Sequence, residues 1–507
     1  MEWLLQNHYI IQYAIVILLG VLYGGIVGLI PSAGPSKAAI MLFAIVAYFD
    51  LPDANYLFVM FSIATVVSCS IGDSFTSVLI GVPGAAGSAA TMIDGYPLTK
   101  QGKASYALSA AITCSTAMGL LYGLLGIIII PYYEHISQYI GVPEIFGLVI
   151  LAFALMSTIT TNNTLKSLLA IGCGLFIGSV GYDINDINRH TFGWEYLEDG
   201  VPIIIVAAGL FALPEIVSTI AGVSRSKYQV KKINFKSHNK QTWDGIVAVW
   251  KHKWLAIMGG GIGWIVGVLP GTGGGIGDWS AYAATVAINK KEKIPFGKGN
   301  IKSIIGSEGA NNAGKMGGLL PTIMFGIPSG KLYAILMALW MYIGFEVGEF
   351  FIMEDDRFIN CLLNGYMWGT LIAGIVMLVF ARHLTKIIYI PVKYWMPPMM
   401  IIIMWGVLSS RHYNSVWEDL TMLGVFSIIG LIMKKFEYSR PCMLIAFILF
   451  ERIETSMYQL YGIFFQDGTI LTNPVWLQHP VMTVCIVLAF FLIIYGITNK
   501  NKLMVYA

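Results

Sequence analysis

Charged residues are scarce in this chain. Only 12% of its 507 residues are Asp, Glu, Lys or Arg, whereas 56% are hydrophobic. A soluble protein of this size could not cover its surface with so few charges. Apolar runs at 108–131, 201–223 and 481–498 approach or exceed the ~20 residues that cross ~30 Å of hydrocarbon. The sequence therefore predicts an all-α polytopic membrane protein, because the strands of an outer-membrane barrel are about half as long and alternate in polarity.

Paired cysteines, metal-binding motifs and nucleotide-binding loops are also missing. The six cysteines stand singly in apolar sequence without a C-x-x-C pair, which favours small buried side chains over disulfide or metal roles. There is no H-E-x-x-H motif and no P-loop. We therefore expect no enzyme activity, no cofactor, no ATP-driven pumping and no nucleic-acid partner.

Loop charges predict the orientation of the chain. Basic residues crowd four connections, at 100–103, 225–253, 290–302 and 382–393. Acidic residues occupy the connections between them, at 50–53, 183–199 and 346–356. The positive-inside rule assigns the basic connections to the cytoplasm of a multi-pass protein in a bacterial inner membrane.

Two segments of the same form lie half a chain apart. "VGLIPSAGPSKAA" and "VGVLPGTGGGIGD" each interrupt an apolar stretch with Pro and Gly. The second stretch has cytoplasmic charge at both ends, so it is predicted to enter the membrane and return as a hairpin, and the first is predicted to enter from the opposite face. Each hairpin is followed by an element broken at "VPG" or "IPSG". The order predicts two inverted repeats.

The predicted domains follow from this order. The N-terminal repeat (1–223) comprises hairpin 9–48, broken element 56–98 and scaffold spans in 108–222. A basic cytoplasmic connector (224–253) precedes the C-terminal repeat (254–507), which comprises hairpin 254–288, broken element 304–345 and scaffold spans in 358–497.

Broken helices need partners for their backbone polar groups. In hydrocarbon an unpaired N–H or C=O costs several kcal/mol, so irregular backbone survives only beside protein or a water-filled cavity. Helix packing alone explains a single small-residue motif. Four breaks in two matching pairs favour a transport site near the midplane, where N–H groups face an anion and carbonyls face a cation.

Six charged residues lie within or beside these apolar segments: Lys37, Asp73, Asp278, Glu308, Lys315 and Lys331. Lys37 and Lys331 flank breaks in opposite halves, so they either hold an oxyanion together, or pair internally with Asp73 and Asp278 or extend to a membrane interface. Glu308 with Asn311 and Asn312 fits either sodium coordination or the capping of broken backbone.

These motifs resemble the large membrane subunit of the tripartite tricarboxylate transporters. The resemblance rests on "GLIPSAGPSKAAIML", "SVLIGVPGAAGSAATMIDGYPLTKQGKA", "GVLPGTGG", "PFGKGNIK" and "EGANNAGKMGGLLPTIMFGIPSG". It implies a secondary transporter of elevator type that takes up an organic acid, typically a carboxylate. The implied partners are an extracytoplasmic solute-binding protein and a small four-helix membrane subunit, and the implied coupling ion is Na⁺ or H⁺.

The resemblance, together with the charged and polar residues at the breaks, gives the candidate site residues. The substrate set is Pro31, Ser32, Gly34, Pro35, Ser36, Lys37, Pro83, Gly84, Pro328, Ser329, Gly330 and Lys331. The coupling-ion set is Gly72, Asp73, Ser77, Pro270, Gly271, Thr272, Gly273, Glu308, Asn311 and Asn312. The chain departs from the family pattern at the presumed ligand, where Ile71-Gly72-Asp73-Ser74 replaces Y-G-G-R and Ile327-Pro328-Ser329-Gly330-Lys331-Leu332 replaces V-P-G-S-G-T.

Two other classes of function remain open at this stage. A membrane-embedded enzyme would use Asp73 or Glu308 as acid or base on a lipid-linked substrate, although no nucleophile–base spacing supports it. A channel would suit the breaks less well than an occluding carrier does. Uptake of a small organic anion is the leading hypothesis.

Overall fold

A computed structural model of the chain describes most of its length. The described residues are 8–31, 33–46, 53–132, 141–159, 163–183, 185–214, 217, 238–348, 355–388, 394, 397–398, 400–401, 404, 416–465 and 479–498. Within them the fold is helical apart from one short hairpin, in which β1 (Gly181–Tyr182) pairs antiparallel with β2 (Asn188–Arg189).

The first half contains eight described helices. They are α1 His8–Gly28, α2 Gly34–Val46, α3 Ala54–Ile80, α4 Ser88–Lys100, α5 Ala104–Ile129, α6 Val142–Ile159, α7 Thr164–Gly178 and α8 Ile203–Ala207, which continues as a π-helical turn at Ala208–Ala212. Short 3₁₀ turns lie at Ile130–Tyr132 and Glu195–Leu197.

The described part of the second half contains nine helices. They are α9 His238–Lys251, α10 Lys253–Val268, α11 Gly273–Ile288, α12 Ile301–Phe325, α13 Lys331–Tyr342, α14 Asp356–Ile388, α15 Val416–Lys435, α16 Arg440–Phe465 and α17 Pro480–Thr498.

Six helices of the described residues are long and apolar enough to cross a membrane. They are the apolar parts of α1, α3, α5, α14, α15 and α17. Four shorter apolar helices, α6, α7, α10 and α13, accompany them. These features agree with the predicted polytopic, all-α membrane protein.

The predicted elements can be compared with the observed ones. The two hairpins correspond to α1 with α2 and to α10 with α11, and the two broken elements correspond to α3 with α4 and to α12 with α13. The end of the basic connector forms α9, whose Ala248 and Val249 are buried. The region of scaffold spans predicted at 358–497 contains α15, α16 and most of α14 and α17, and its segments 389–393, 405–415 and 466–478 lie outside the described residues.

A ladder of glycines packs each hairpin against the following broken element. Gly20, Gly24 and Gly28 of α1 meet Phe61, Thr65 and Cys69 of α3, and Gly259, Gly263 and Gly267 of α10 meet Gly306, Ala310 and Gly314 of α12. A Cβ on any of the six glycines would lie closer than 3.0 Å to the facing carbonyl oxygen. Only glycine allows this approach, as in small-residue helix interfaces of membrane proteins.

The order of the contacts gives the helix directions. Residue numbers rise together along α1 and α3 and along α10 and α12, so each pair is parallel. Across the centre the order is reversed, because Ser70 and Ser74 of α3 bond with Asn311 and Glu308 of α12, respectively. The two central helices are therefore antiparallel, and both are buried along almost their whole length.

Candidate functional site

The central helices α3 and α12 end in the same way. Each is followed by a left-handed glycine, Gly81 (φ 67°) or Gly326 (φ 61°). In both cases the N–H groups of the glycine and of the next residue point to one carbonyl, that of Thr76 or that of Pro321. This left-handed cap stops the helix and satisfies its last carbonyls. A proline follows two residues after each glycine and prevents the helix from resuming at once.

Beyond each cap the chain turns back against its own helix. A Cβ on Gly84 would lie closer than 3.0 Å to the Cβ, Cα and carbonyl oxygen of Asp73 in α3. In the second half the glycine is on the helix instead, because a Cβ on Gly318 would clash with the hydroxyl of Ser329. Both broken segments therefore return to the middle of a buried helix.

The tip of each hairpin contacts the break in its own half. Gly34 (φ 63°) lies so close to the first break that a Cβ would be 3.2 Å from the carbonyl oxygen of Gly84. In the second half the N–H of Gly271 (φ 83°) donates to the carbonyl oxygen of Ser329 at 2.8 Å. The two tips and the two breaks that the sequence predicted as ligand-binding segments are thus in pairwise contact.

The second hairpin also contacts the first break. A Cβ on Gly275 would lie 3.0 Å from the Cβ of Ala86, and the indole N–H of Trp279 donates to the carbonyl oxygen of Ala86 at 3.3 Å. The first break therefore lies between the tips of both hairpins.

Glu308 accepts hydrogen bonds on both of its carboxylate oxygens. It is 1% exposed. Its Oε1 accepts hydrogen bonds from Ser74 at 2.8 Å and Thr91 at 2.7 Å, and its Oε2 accepts one from the Asn311 amide at 3.2 Å. Ser74 and Thr91 come from the two arms of the first broken element, so Glu308 of the second half joins both arms.

Three buried acids interact with one buried lysine. Asp73, Asp278 and Glu308 all interact electrostatically with Lys315. The Lys315 ammonium lies 3.3 Å from Oδ1 of Asn311 and 3.4 Å from its backbone oxygen. Because the acids outnumber the ammonium, its charge cannot balance all of them if all are ionised. We call these four residues the buried charge cluster.

The two asparagines link the central helices. The Asn311 amide donates to the carbonyl oxygen of Ser70 at 2.9 Å, and the Asn312 amide lies 3.5 Å from the carbonyl oxygen of Val67. Both carbonyls belong to the interior of α3 and not to a broken segment, so these bonds join two continuous helices. The side-chain oxygen Oδ1 of Asn312 is buried without a partner among the described residues, so it is available to a cation.

The two predicted lysines lie in the first turns of their helices. Lys37 is partly buried in α2. Lys331 begins α13, and its ammonium lies 4.4 Å from the centroid of the Phe211 ring, which the Arg440 guanidinium approaches to 5.4 Å. The sequence did not indicate this aromatic contact, because Phe211 comes from the distant π-helical turn.

The remaining predicted residues lie at the same breaks and tips. Gly72 and Ser77 are buried in α3, and the Thr272 hydroxyl lies 2.7 Å from the carbonyl oxygen of Val266. Pro31, Pro35, Ser36, Pro83, Pro270, Pro328 and Gly330 occupy the tips and breaks, and Gly273 begins α11. Ser32 lies outside the described residues.

Asp94 is a structural residue of the site that the sequence reasoning missed. Its Oδ1 accepts hydrogen bonds from the backbone N–H groups of Gly297, Gly299 and Asn300, each at 2.8 Å, and its Oδ2 accepts one from Ser303 at 2.6 Å. Asp94 belongs to "DGYP" and three of its four partners belong to "PFGKGNIK", two segments already noted for their resemblance. The presence of both segments in one chain was the sequence signal that they could be in contact.

Comparisons with known proteins identify the family of the chain. Residues 14–445 match the family model of the tripartite tricarboxylate transporter TctA family. The chain belongs to this family. The resemblance read from the motifs is therefore confirmed, and the TctA match includes both hairpins, both broken elements and the buried charge cluster.

Two relatives of this TctA-family chain come from Agrobacterium vitis. One, described as an uncharacterized 52.8 kDa protein in the TAR-I ttuC' 3' region, is 28% identical over 458 residues, which cover 90% of this chain and 88% of the relative. The other, an uncharacterized protein in the TAR-II ttuC' 3' region, is 25% identical over 214 residues, 42% of this chain and 87% of the relative. No solved structure is significantly similar.

Proposed function

We propose that this TctA-family chain is the large membrane subunit of a carrier that takes up a small organic anion, a carboxylate, driven by a Na⁺ or H⁺ gradient. The observation that carries the proposal is the meeting of two helix breaks with two hairpin tips. Such breaks offer N–H groups to an anion and carbonyls to a cation in one place. A carrier needs both ligands in contact if the movement of one is to drive the other.

We further propose that the halves are inverted repeats. The support is that α1 and α10 contact α3 and α12 through equivalent glycines, while α3 and α12 run in opposite directions. A repeat inserted twice with opposite orientation produces this arrangement. An elevator movement of the hairpins and broken elements against the other helices would then alternate access to the site.

Roles follow for the site residues. The anion binds at the breaks and tips, with Lys37 and Lys331 supplying positive charge. The coupling ion binds at the buried charge cluster and at Asn311 and Asn312. The partners are an extracytoplasmic solute-binding protein and a small four-helix membrane subunit, with the complex in the bacterial inner membrane.

Uptake by the assembled complex in proteoliposomes tests the proposal. Labelled citrate, malate and tartrate serve as probes, with and without the binding protein, under imposed Na⁺ or pH gradients. We expect gradient-dependent accumulation of at least one probe that requires the binding protein. Gradient-independent equilibration would indicate a channel, and chemical conversion of a lipid-linked substrate without uptake would indicate an enzyme.

The charge of Lys331 provides a variant for the same assay. Lys331→Gln should weaken the binding of the transported probe about ten- to hundredfold, since a hydrogen bond to a charged group contributes about 1.5–3 kcal/mol. Lys253→Gln, at an exposed lysine beginning α10, is the matched control and should transport normally. Normal affinity in Lys331→Gln would remove this lysine from the substrate site.

A further inference from the structure

The acids of the buried charge cluster differ in their hydrogen bonding. Glu308 accepts bonds on both oxygens, from Ser74 and Thr91 on Oε1 and from Asn311 on Oε2. Asp73 Oδ1, in contrast, is buried without a hydrogen-bond partner among the described residues, and the side chain is 2% exposed. The donors therefore stabilise the ionised form of Glu308, whereas an ionised Asp73 leaves a charged oxygen unsatisfied.

The charges of the groups that face Asp73 also favour its neutral form. Glu308 and Lys315 face it from α12, Asp278 faces it from α11, and the Cys69 thiol lies one turn away in α3. One ammonium thus faces three carboxyl groups. Adding a proton to Asp73 removes one negative charge from this set. It also removes the free-energy cost of a charged oxygen that has no hydrogen-bond donor.

Asp73 is also in contact with the proposed substrate site. Gly84 of the first break packs directly on its Cβ, and Gly84 in turn contacts the hairpin tip at Gly34. A change of charge at Asp73 therefore alters the electrostatic potential at the segment that is proposed to hold the anion.

We propose that Asp73 carries the co-transported proton. The carboxylate takes up one proton from the outer side while the site is open there, crosses as the neutral acid together with the bound anion, and releases the proton to the cytoplasm. No covalent bond of the substrate changes. The inference rests on the proposed transport function and identifies the coupling ion as H⁺ at one named atom, Oδ1.

The test separates coupling from substrate movement. The assembled complex is placed in proteoliposomes, and two rates are measured for labelled citrate, malate and tartrate. One is accumulation under an imposed pH gradient with the membrane potential clamped, and the other is exchange between labelled and unlabelled probe at equal pH. Each co-transported proton allows about tenfold accumulation per unit of pH gradient.

Asp73→Asn should abolish pH-driven accumulation and retain exchange, because the amide imitates the permanently neutral acid. Asp73→Glu should restore part of the accumulation. Glu144→Gln is the matched control, since Glu144 is a buried acid of α6 that is bonded to His479 away from the cluster, and it should accumulate the probe as the unmodified protein does.

Each contrary outcome has one meaning. If the unmodified complex transports none of the probes in either assay, the proposed function fails. Undiminished pH-driven accumulation by Asp73→Asn overturns the proton assignment while leaving transport intact. So does accumulation that only a Na⁺ gradient drives. If Asp73→Asn and Asp73→Glu assemble normally and both lose exchange, Asp73 belongs to substrate binding and the inference is wrong.

Discussion

After α3 the chain turns back with Gly84 against Asp73, whereas after α12 it turns back with Ser329 against Gly318. The backbone course is shared, but the side chain comes from the helix in the first half and from the break in the second. Close contact needs a small residue on one side only. In the first half the larger residue is the acid Asp73 on the helix, and in the second half it is Ser329, with its hydroxyl, on the break.

The second arms differ in a related way. In α4, Asp94 accepts four hydrogen bonds from residues at the beginning of α12 and the loop before it. In α13, the only charged residue is Lys331 at the first position, and every residue from Leu332 to Trp340 is buried. The Tyr333 hydroxyl donates to the carbonyl oxygen of Lys315 at 2.7 Å, and the Trp340 indole N–H donates to the Ser62 hydroxyl at 3.1 Å. The first broken element is thus anchored by a charge, and the second by apolar packing with two neutral hydrogen bonds.

The largest expected effect tests the shared part of the comparison. Gly24→Leu or Gly263→Leu should prevent the correct packing of a hairpin on its central helix, because even a Cβ would contact the facing backbone of Thr65 or Ala310. We expect destabilisation of about 3 kcal/mol or more. The yield of folded protein after detergent extraction, measured by size-exclusion chromatography, checks this.

Gly172→Leu is the control for the glycine ladders. Gly172 lies in α7, and nothing stands within 4 Å of a Cβ placed there. A normal yield is expected. Equal tolerance of leucine in the ladders would mean that the hairpins do not pack as the contacts indicate.

The next effect tests the exchanged side chains at the breaks. Gly318→Ala should displace the second break, because its new Cβ meets the Ser329 hydroxyl and the Tyr333 ring. A transport loss of about tenfold corresponds to ~1.4 kcal/mol, within the range for overpacking. Adding Ser329→Gly removes one of the two clashes and should recover part of the uptake.

Gly84→Ala is the corresponding change in the first half. Its Cβ would meet both the backbone and the Cβ of Asp73, so shortening the acid side chain should not rescue it. Two outcomes would show that the breaks do not differ in the way described. One is recovery of uptake when Asp73 is shortened in Gly84→Ala, and the other is no recovery when Ser329→Gly is added to Gly318→Ala. Uptake of the probe that the unmodified complex transports is the measurement.

The smallest expected effect concerns the anchor. Asp94→Asn keeps an oxygen that can accept from the N–H groups of Gly297, Gly299 and Asn300, but this oxygen no longer carries a charge, and the N–H₂ group that replaces Oδ2 cannot accept from the Ser303 hydroxyl. The loss should be about 1.5–3 kcal/mol, seen as a lower midpoint of thermal unfolding in detergent. Asp244→Asn, at an exposed acid of α9, should leave the midpoint unchanged. An unchanged midpoint in Asp94→Asn would mean that Asp94 does not anchor the first broken element.

Much of the fold was predictable from the sequence. The Pro and Gly positions correctly indicated where the hairpins turn and where the central helices break, because these residues act on their own backbone. The glycine ladders were visible as four-residue spacings before each tip. This spacing did not predict a packing partner, because the spacing of small residues alone does not identify the helix that packs on them.

The candidate site was only partly predictable. The sequence placed Asp73, Glu308, Asn311 and Lys331 within or beside apolar segments, which marks them as residues that need partners. It did not indicate that Glu308 bonds to Ser74 and Thr91, or that Lys331 lies over Phe211. Those partners come from elements far away in the chain, and no local pattern identifies them.

The sequence by itself determined the membrane class, the family and the positions of the breaks, since hydrophobic length, motifs and backbone-restricting residues act locally. The tertiary structure alone decided which break meets which hairpin tip and which acid obtains donors. Among the described residues it left Asp73 Oδ1 without a partner and satisfied both oxygens of Glu308. The physical reason is that burial makes every polar atom depend on its neighbours, and the packing of antiparallel α3 and α12 determines those neighbours.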